Sequence, residues 1–226
     1  MISLGNGAAH RPEGRLVARF YFGVNRRLYS TWPQAFDPLG QLLTLGRFGV
    51  WRRSALQHLE GTRILEVGHG SGALLLEMAR SGRHPVGLEI SPAMQRVAQR
   101  RLRRAGVYVP CVVGDAGAVP FREGTFDTIV ATFPTAYASV PSVLSDFRRL
   151  LAGSTHREKG GRIVLVGVCL ASDFPPLRAL LTRVFGPMDA RLAAFTGALA
   201  AAGFIPTLST SGGTLLRAVT LVGTPE

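Results

Sequence analysis

The feature that most constrains this chain is the alternation of two kinds of segment. Short apolar runs rich in β-branched residues, bounded by Gly, Pro or Asp, recur at RILEVG from Arg63, PVGLEI from Pro85, VPCVVGD from Val109, FDTIVATF from Phe126 and GRIVLVGV from Gly161. They are continuous, not alternately polar, as strands covered on both faces are. Helical patterns fill the intervals over 73–80, 91–105 and 138–151, the second opening on Ser91-Pro92. Strand and helix alternating in this way predict a doubly wound α/β sheet of parallel strands. After the fifth run the order changes. Helical patterns over 175–185 and 189–202 lead into FIPTLST and LLRAVTLVG, which Ser211-Gly212-Gly213 separates as the turn of a hairpin. The expectation is a seven-stranded, mostly parallel sheet with an antiparallel terminal hairpin strand.

The 226 residues are enough for one generous domain, and 46% hydrophobic against 18% charged residues excludes a disordered or low-complexity chain. Residues 16–61 carry aromatic and apolar residues at helical spacing and read as an N-terminal helical lid, preceded by a flexible tail over 1–15 and followed by the main domain over 62–226. The opening residues lack the apolar core of a secretory signal, and no stretch approaches a membrane span. Cys111 and Cys169, the only cysteines, sit in apolar runs and form neither a disulfide framework nor a metal-binding pair. A cytoplasmic protein without a metal is therefore expected. The formal charge of +12 is almost all arginine, Lys159 being the single lysine, and favours anionic partners in general, nucleic acid or a membrane surface included, without selecting one.

The richest motif is LEVGHGSG, Leu65 to Gly72, placed where a strand gives way to a helix. Gly68, Gly70 and Gly72 let the backbone turn tightly and approach a ligand, and the helix start offers free N–H donors. With Ala73 the segment also satisfies the dinucleotide pattern G-x-G-x-x-A. Glu66 separates the two readings, because a carboxylate two residues before the first glycine repels a pyrophosphate and suits an ammonium group. Glu89 ends the second run about 20 residues beyond the first glycine, where a carboxylate can accept from ribose hydroxyls.

In this combination of glycine loop, acids at strand ends and terminal hairpin, the chain resembles the Rossmann-like class I S-adenosylmethionine-dependent methyltransferases. The resemblance implies S-adenosylmethionine as cofactor. It assigns its binding to Glu66, Gly68, His69, Gly70, Gly72, Glu89 with Ile90, and Thr132 at the fourth strand end. Asp115, at the third, would bond the adenine amine, with Ala116 and the apolar stretch after it against the ring. The segment FDPLGQLLTLGRFGVWRR, Phe36 to Arg53, narrows the likeness to the menaquinone and ubiquinone C-methyltransferases, matching in Asp37, Leu42, Thr44, Gly46, Trp51 and Arg52. Two departures fall near the acceptor side: Gly40-Gln41 replaces that family's Asn-Asp, and Thr132-Phe133-Pro134-Thr135 replaces its usual loop.

A small, largely apolar acceptor is expected between the lid, with Tyr21 and Tyr29, and the loop carrying Phe133, Pro134 and Tyr137. An aromatic face there can also stabilise a sulfonium; packing in the core is the competing role for Phe133 and Tyr137. No catalytic constellation is legible. His69, Asp37, His58 and the tyrosines Tyr21 and Tyr29 are candidate bases, and Cys169 reads as a buried small hydrophobe. Arg96, Arg100, Arg103 and Arg104 fall on one helix face, read as solvated. Nothing resembling a nucleic-acid-binding module accompanies them. A nicotinamide oxidoreductase, a nucleic-acid methyltransferase and a non-catalytic S-adenosylmethionine-binding protein remain as alternatives at this level.

Overall fold

The computed structural model describes residues 33–151 and 161–226. Seven strands form one sheet in the order β3-β2-β1-β4-β5-β7-β6. They are β1 (Arg63–Val67), β2 (His84–Glu89), β3 (Cys111–Val113), β4 (Thr128–Thr132), β5 (Arg162–Ala171), β6 (Phe204–Gly212) and β7 (Arg217–Pro225). The first five run parallel, whereas β7 lies antiparallel between β5 and β6. The hairpin turn expected at Ser211-Gly212-Gly213 falls two residues further on: β6 keeps pairing through Ser211 and Gly212, opposite Ala218 and Arg217, and the turn occupies 213–216. The fifth strand likewise runs past its expected end, so that Cys169 lies inside it.

Seven helices are described: α1 (Phe36–Leu43), α2 (Phe48–Ser54), α3 (Ala73–Arg80), α4 (Pro92–Arg104), α5 (Pro141–Leu150), α6 (Pro175–Phe185) and α7 (Met188–Ala201). Helix α4 shows how local sequence sets a boundary. Ser91 stands in extended conformation and its hydroxyl accepts from the Met94 amide, with Pro92 supplying a pre-set first turn. Helix α5 begins later than its apolar pattern, at Pro141, because a 3-10 turn occupies Ala136–Ser139.

The continuous apolar runs make sense once both faces of the sheet are covered. On one face Leu65, Ile129, Ile163 and Leu165 pack with Leu144, Phe147 and Leu199 of α5 and α7. On the other, Ile64, Val130, Val164 and Val166 pack with Leu74, Leu75, Met78 and Leu102 of α3 and α4. Each such side chain contributes about 1.5–3 kcal/mol on burial. A third cluster joins α2 to the sheet: Trp51, wholly buried, meets Leu216 and Ala218, with Phe133, Leu170, Leu177 and Leu181 against it. Here β5 is kinked. Its register with β7 shifts between Val166 and Cys169, where Gly167 takes φ +75° and a Cβ would lie 2.4 Å from the Phe133 ring.

Candidate functional site

In an open parallel sheet, ligands bind beyond the carboxyl ends of the strands, at the point where the chain reverses its direction of winding. That point lies between β1 and β4. The β1 carboxyl end continues into the glycine loop, with Gly68, Gly70 and Gly72 all in the left-handed region at φ +70°, +53° and +71°. Gly72 is doubly constrained, since a Cβ there would also stand 2.7 Å from that of Ala98, where α3 and α4 cross. From β2, Glu89 braces the loop: its Oε2 accepts from the Gly70 amide at 2.9 Å and its Oε1 from the Ser91 amide at 2.8 Å. From the other side, the Tyr137 hydroxyl donates to the Val67 carbonyl at 3.3 Å, joining the loop after β4 to the end of β1.

Beneath this loop lies Glu66, 1% exposed, whose Oε2 has no hydrogen-bond partner among the described residues. Burial raises its carboxyl to about 8, the charge of Arg52 pulling it back in part and that of Glu89 adding to the rise. A buried, unsatisfied carboxyl is costly to a fold unless something else completes it. Helices α1, α2 and α4 supply part of the surroundings. Asp37 of α1 accepts from the Ser71 hydroxyl at 2.7 Å and from Arg101 at 2.8 Å, while its other oxygen lies 3.5 Å from Arg52. Arg101 also donates to the carbonyl and hydroxyl of Ser71. Helices α1, α2 and α4 thus converge on the glycine loop.

The expected site residues divide into groups. Glu66, Gly68, His69, Gly70, Gly72 and Glu89 come together at the ends of β1 and β2. Ile90 follows, 65% exposed. Asp115 lies two residues past the end of β3, exposed, with Oδ1 accepting from the Gly117 amide at 2.8 Å, and Ala116 packs on the core. Thr132 ends β4, half-buried. His69 does not present a free imidazole. Its Nε2 bonds Gln95 Oε1 at 2.8 Å, Gln95 in turn donating to the Cys111 carbonyl, and burial lowers its pKa. His58 sits at the opposite end of the sheet, near Arg162 at the start of β5, which removes it as a base.

On the acceptor side, Phe133 adopts φ +52° and stacks on Phe48 with centroids 4.5 Å apart, Trp51 lying 6.5 Å away. Packing, the competing role, is therefore its observed one, and the ring fills the space between α2 and the sheet. Pro134 is half-buried beside it, and Tyr137 also meets Phe147 edge-on. Tyr21 and Tyr29 lie outside the described residues. Ser71, Gln95, Arg52 and Arg101 are not legible as site residues from spacing, because each acts on a partner distant in sequence; only the resemblance over 36–53 touches Arg52.

Residues 64–153 match the family model described as a methyltransferase domain. The demethylmenaquinone methyltransferase of Thermus thermophilus is 32% identical over 155 residues, which is 66% of this chain and 65% of that protein. The enzyme of the same name from Tropheryma whipplei is 31% identical over 145 residues, 62% of this chain and 57% of that one. This chain thus spans less than two thirds of the length of either relative. Among solved structures, the geranyl diphosphate C-methyltransferase of Streptomyces coelicolor superposes with a TM-score of 0.59 at 15% identity, covering 79% of both chains. Sheet order, glycine loop and these likenesses agree: residues 64–153 match a methyltransferase domain, and the chain is similar to the menaquinone methyltransferases and to solved S-adenosylmethionine-dependent methyltransferases.

Proposed function

We propose that this protein transfers a methyl group from S-adenosylmethionine to a small, largely apolar acceptor. The observation that carries the proposal is Glu66, buried beneath the glycine loop with one oxygen unpartnered among the described residues. An ammonium group completes that oxygen, and a pyrophosphate would be repelled by it. When bound, S-adenosylmethionine supplies a methyl group already activated on a sulfonium. What remains for the chain is to align two ligands and exclude water. In this reading Glu66 receives the ammonium. Glu89 takes the ribose hydroxyls on lone pairs left over from its amide bonds, and Asp115 takes the adenine amine. The amides of the glycine loop stay close to the ligand because no Cβ intervenes.

The acceptor belongs between α2 and the loop after β4, where the half-buried Phe133 ring, backed by the buried Phe48 and Trp51, contributes an apolar aromatic surface suited to a flat apolar molecule. No general base is assigned. His58 and His69, the histidines that the sequence offers for that role, are each engaged elsewhere. Among the described residues no helix is long and apolar enough to cross a membrane, and we assign the protein to the cytoplasm.

Calorimetry with S-adenosylmethionine, S-adenosylhomocysteine and NAD tests the cofactor: the first two bind with comparable strength and NAD poorly. Asp115→Ala weakens that binding by about 1–3 kcal/mol without changing the melting of the free protein. For the acceptor, radiolabelled methyl groups in a cell lysate should partition into the organic-extractable fraction. The exposed row Arg96, Arg100, Arg103 and Arg104 supports RNA as a second reading, and sequence-dependent RNA labelling that survives physiological salt would replace the first.

A further inference from the structure

Glu66 is not the only unfinished group beside the glycine loop. Arg52, one residue past the wholly buried Trp51 that pins α2, keeps a side chain only 14% exposed, and its Nε is buried with no hydrogen-bond partner among the described residues. Arg83 and Arg162 also leave Nε unpaired, but they stand at the amino ends of β2 and β5, on the far side of the sheet. The guanidinium of Arg52 rests over the Phe48 ring at 5.8 Å and reaches Asp37 at 3.5 Å. That partner is already committed. Asp37 takes a 2.8 Å bond from Arg101 and a 2.7 Å bond from Ser71, so one carboxylate serves two arginines and Arg52 holds the longer contact. Arg52 therefore retains positive charge and donor capacity in a site that has little water to satisfy either.

We propose that Arg52 receives the α-carboxylate of the cofactor's amino-acid end, while Glu66 receives its ammonium group. The inference rests on the proposed function and extends it to a residue outside the glycine loop. Two buried, incompletely partnered groups of opposite charge flank one loop, and Arg52 is close enough for its charge to act on Glu66. An amino acid's zwitterionic end carries the complementary pair, and the planar fork of an arginine matches a carboxylate. A nucleotide carries no ammonium for Glu66. The arrangement also explains why the lid docks where it does. Helix α2 carries both Arg52 and the buried Phe48 and Trp51 that back the Phe133 ring, so that cofactor binding and packing of the acceptor side share one helix.

The test compares two ligands by calorimetry in the full chain: S-adenosylhomocysteine and its decarboxylated analogue, which keeps the ammonium, ribose and adenine. The wild type should prefer the carboxylate-bearing ligand at least tenfold. In Arg52→Gln the preference should fall to about parity, the carboxylate-bearing ligand losing far more affinity than its decarboxylated analogue. Arg52→Lys should keep part of the preference. Because the readout is a ratio within one protein, a general loss of folded material cancels, and thermal melting of each variant checks the fold. Equal weakening of both ligands in Arg52→Gln would overturn the proposal, leaving Arg52 as a brace for Asp37. So would a wild type indifferent to the carboxylate. Binding of neither ligand to the wild type would sink the proposed function itself.

Discussion

Two buried carboxylates sit on neighbouring strands at opposite ends of the sheet, and they are treated in opposite ways. Asp127, just before β4, meets the start of β1: one oxygen accepts from the Thr62 and Arg63 amides at 2.9 and 3.0 Å, the other from the Arg63 guanidinium at 3.2 and 2.7 Å. Burial pushes its carboxyl up, yet the bonds from Arg63 and the two amides outweigh that and hold it below the ordinary carboxylate value. Glu66, near the carboxyl end of β1, is as thoroughly buried and rises to about 8. The fold can satisfy a buried acid completely, as it does at the amino end. In the proposed function, the acid left incomplete at the carboxyl end of the sheet is the one that a ligand completes.

The sharpest way to break this contrast is Asp127→Ala. Removing the shared acceptor strands two amides and frees Arg63, which should cost about 3 kcal/mol in unfolding free energy, while affinity for S-adenosylhomocysteine stays unchanged. Since the folded value lies below the unfolded one, this stabilisation is present above about pH 4 and fades as the pH falls through the folded value. Denaturant melts at pH 3 and pH 7 measure it.

Glu66→Gln should do the reverse. The variant keeps the shape and removes the charge, so cofactor affinity at pH 8.5 should fall by tenfold or more, about 1.4 kcal/mol, and the free protein should be no less stable. Destabilisation on the scale of Asp127→Ala would make Glu66 an ordinary structural acid. A smaller effect follows from linkage. The unfolded chain gives up the Glu66 proton near the ordinary glutamate value whereas the folded chain keeps it up to about pH 8. Stability of the ligand-free protein should therefore decline by about 1 kcal/mol per pH unit between roughly pH 5.5 and 7.5. In Glu66→Gln that slope should flatten.

What the sequence disclosed follows the same division. The alternation of strand and helix, the terminal hairpin, the two covered faces of the sheet and the positions of Glu66 and Glu89 all come from local pattern, since a strand end is set by its own neighbours. The roles of His69, Phe133 and Arg101 are not local. His69 is turned inward by Gln95, 26 residues away, and Phe133 is seated by the missing Cβ of Gly167 and the ring of Phe48. Arg101 lies among exposed arginines in the helix pattern, but its side chain turns toward Ser71 and Asp37. In each case the deciding contact crosses from one element to another, where periodicity carries no information.

The finest test of the comparison counts protons. If the ammonium of the ligand meets Glu66 as a carboxylate, binding must expel the proton that burial holds there. With a free value of about 8, the group is about nine-tenths protonated at pH 7, so binding should release most of one proton. Calorimetry of S-adenosylhomocysteine in two buffers of different ionisation enthalpy reads that number directly. At pH 9 the carboxyl is already ionised in the free protein and the release should shrink toward zero. Apparent affinity should rise from pH 6 to 8 and then level, because below pH 8 the ligand competes with a proton for one oxygen. Asp127→Asn should leave the count unchanged, its carboxyl being ionised throughout this range, and Glu66→Gln should abolish it. Proton uptake at pH 7, or a release that persists in Glu66→Gln, would place the linked group elsewhere in the site and dissolve the contrast between the two acids.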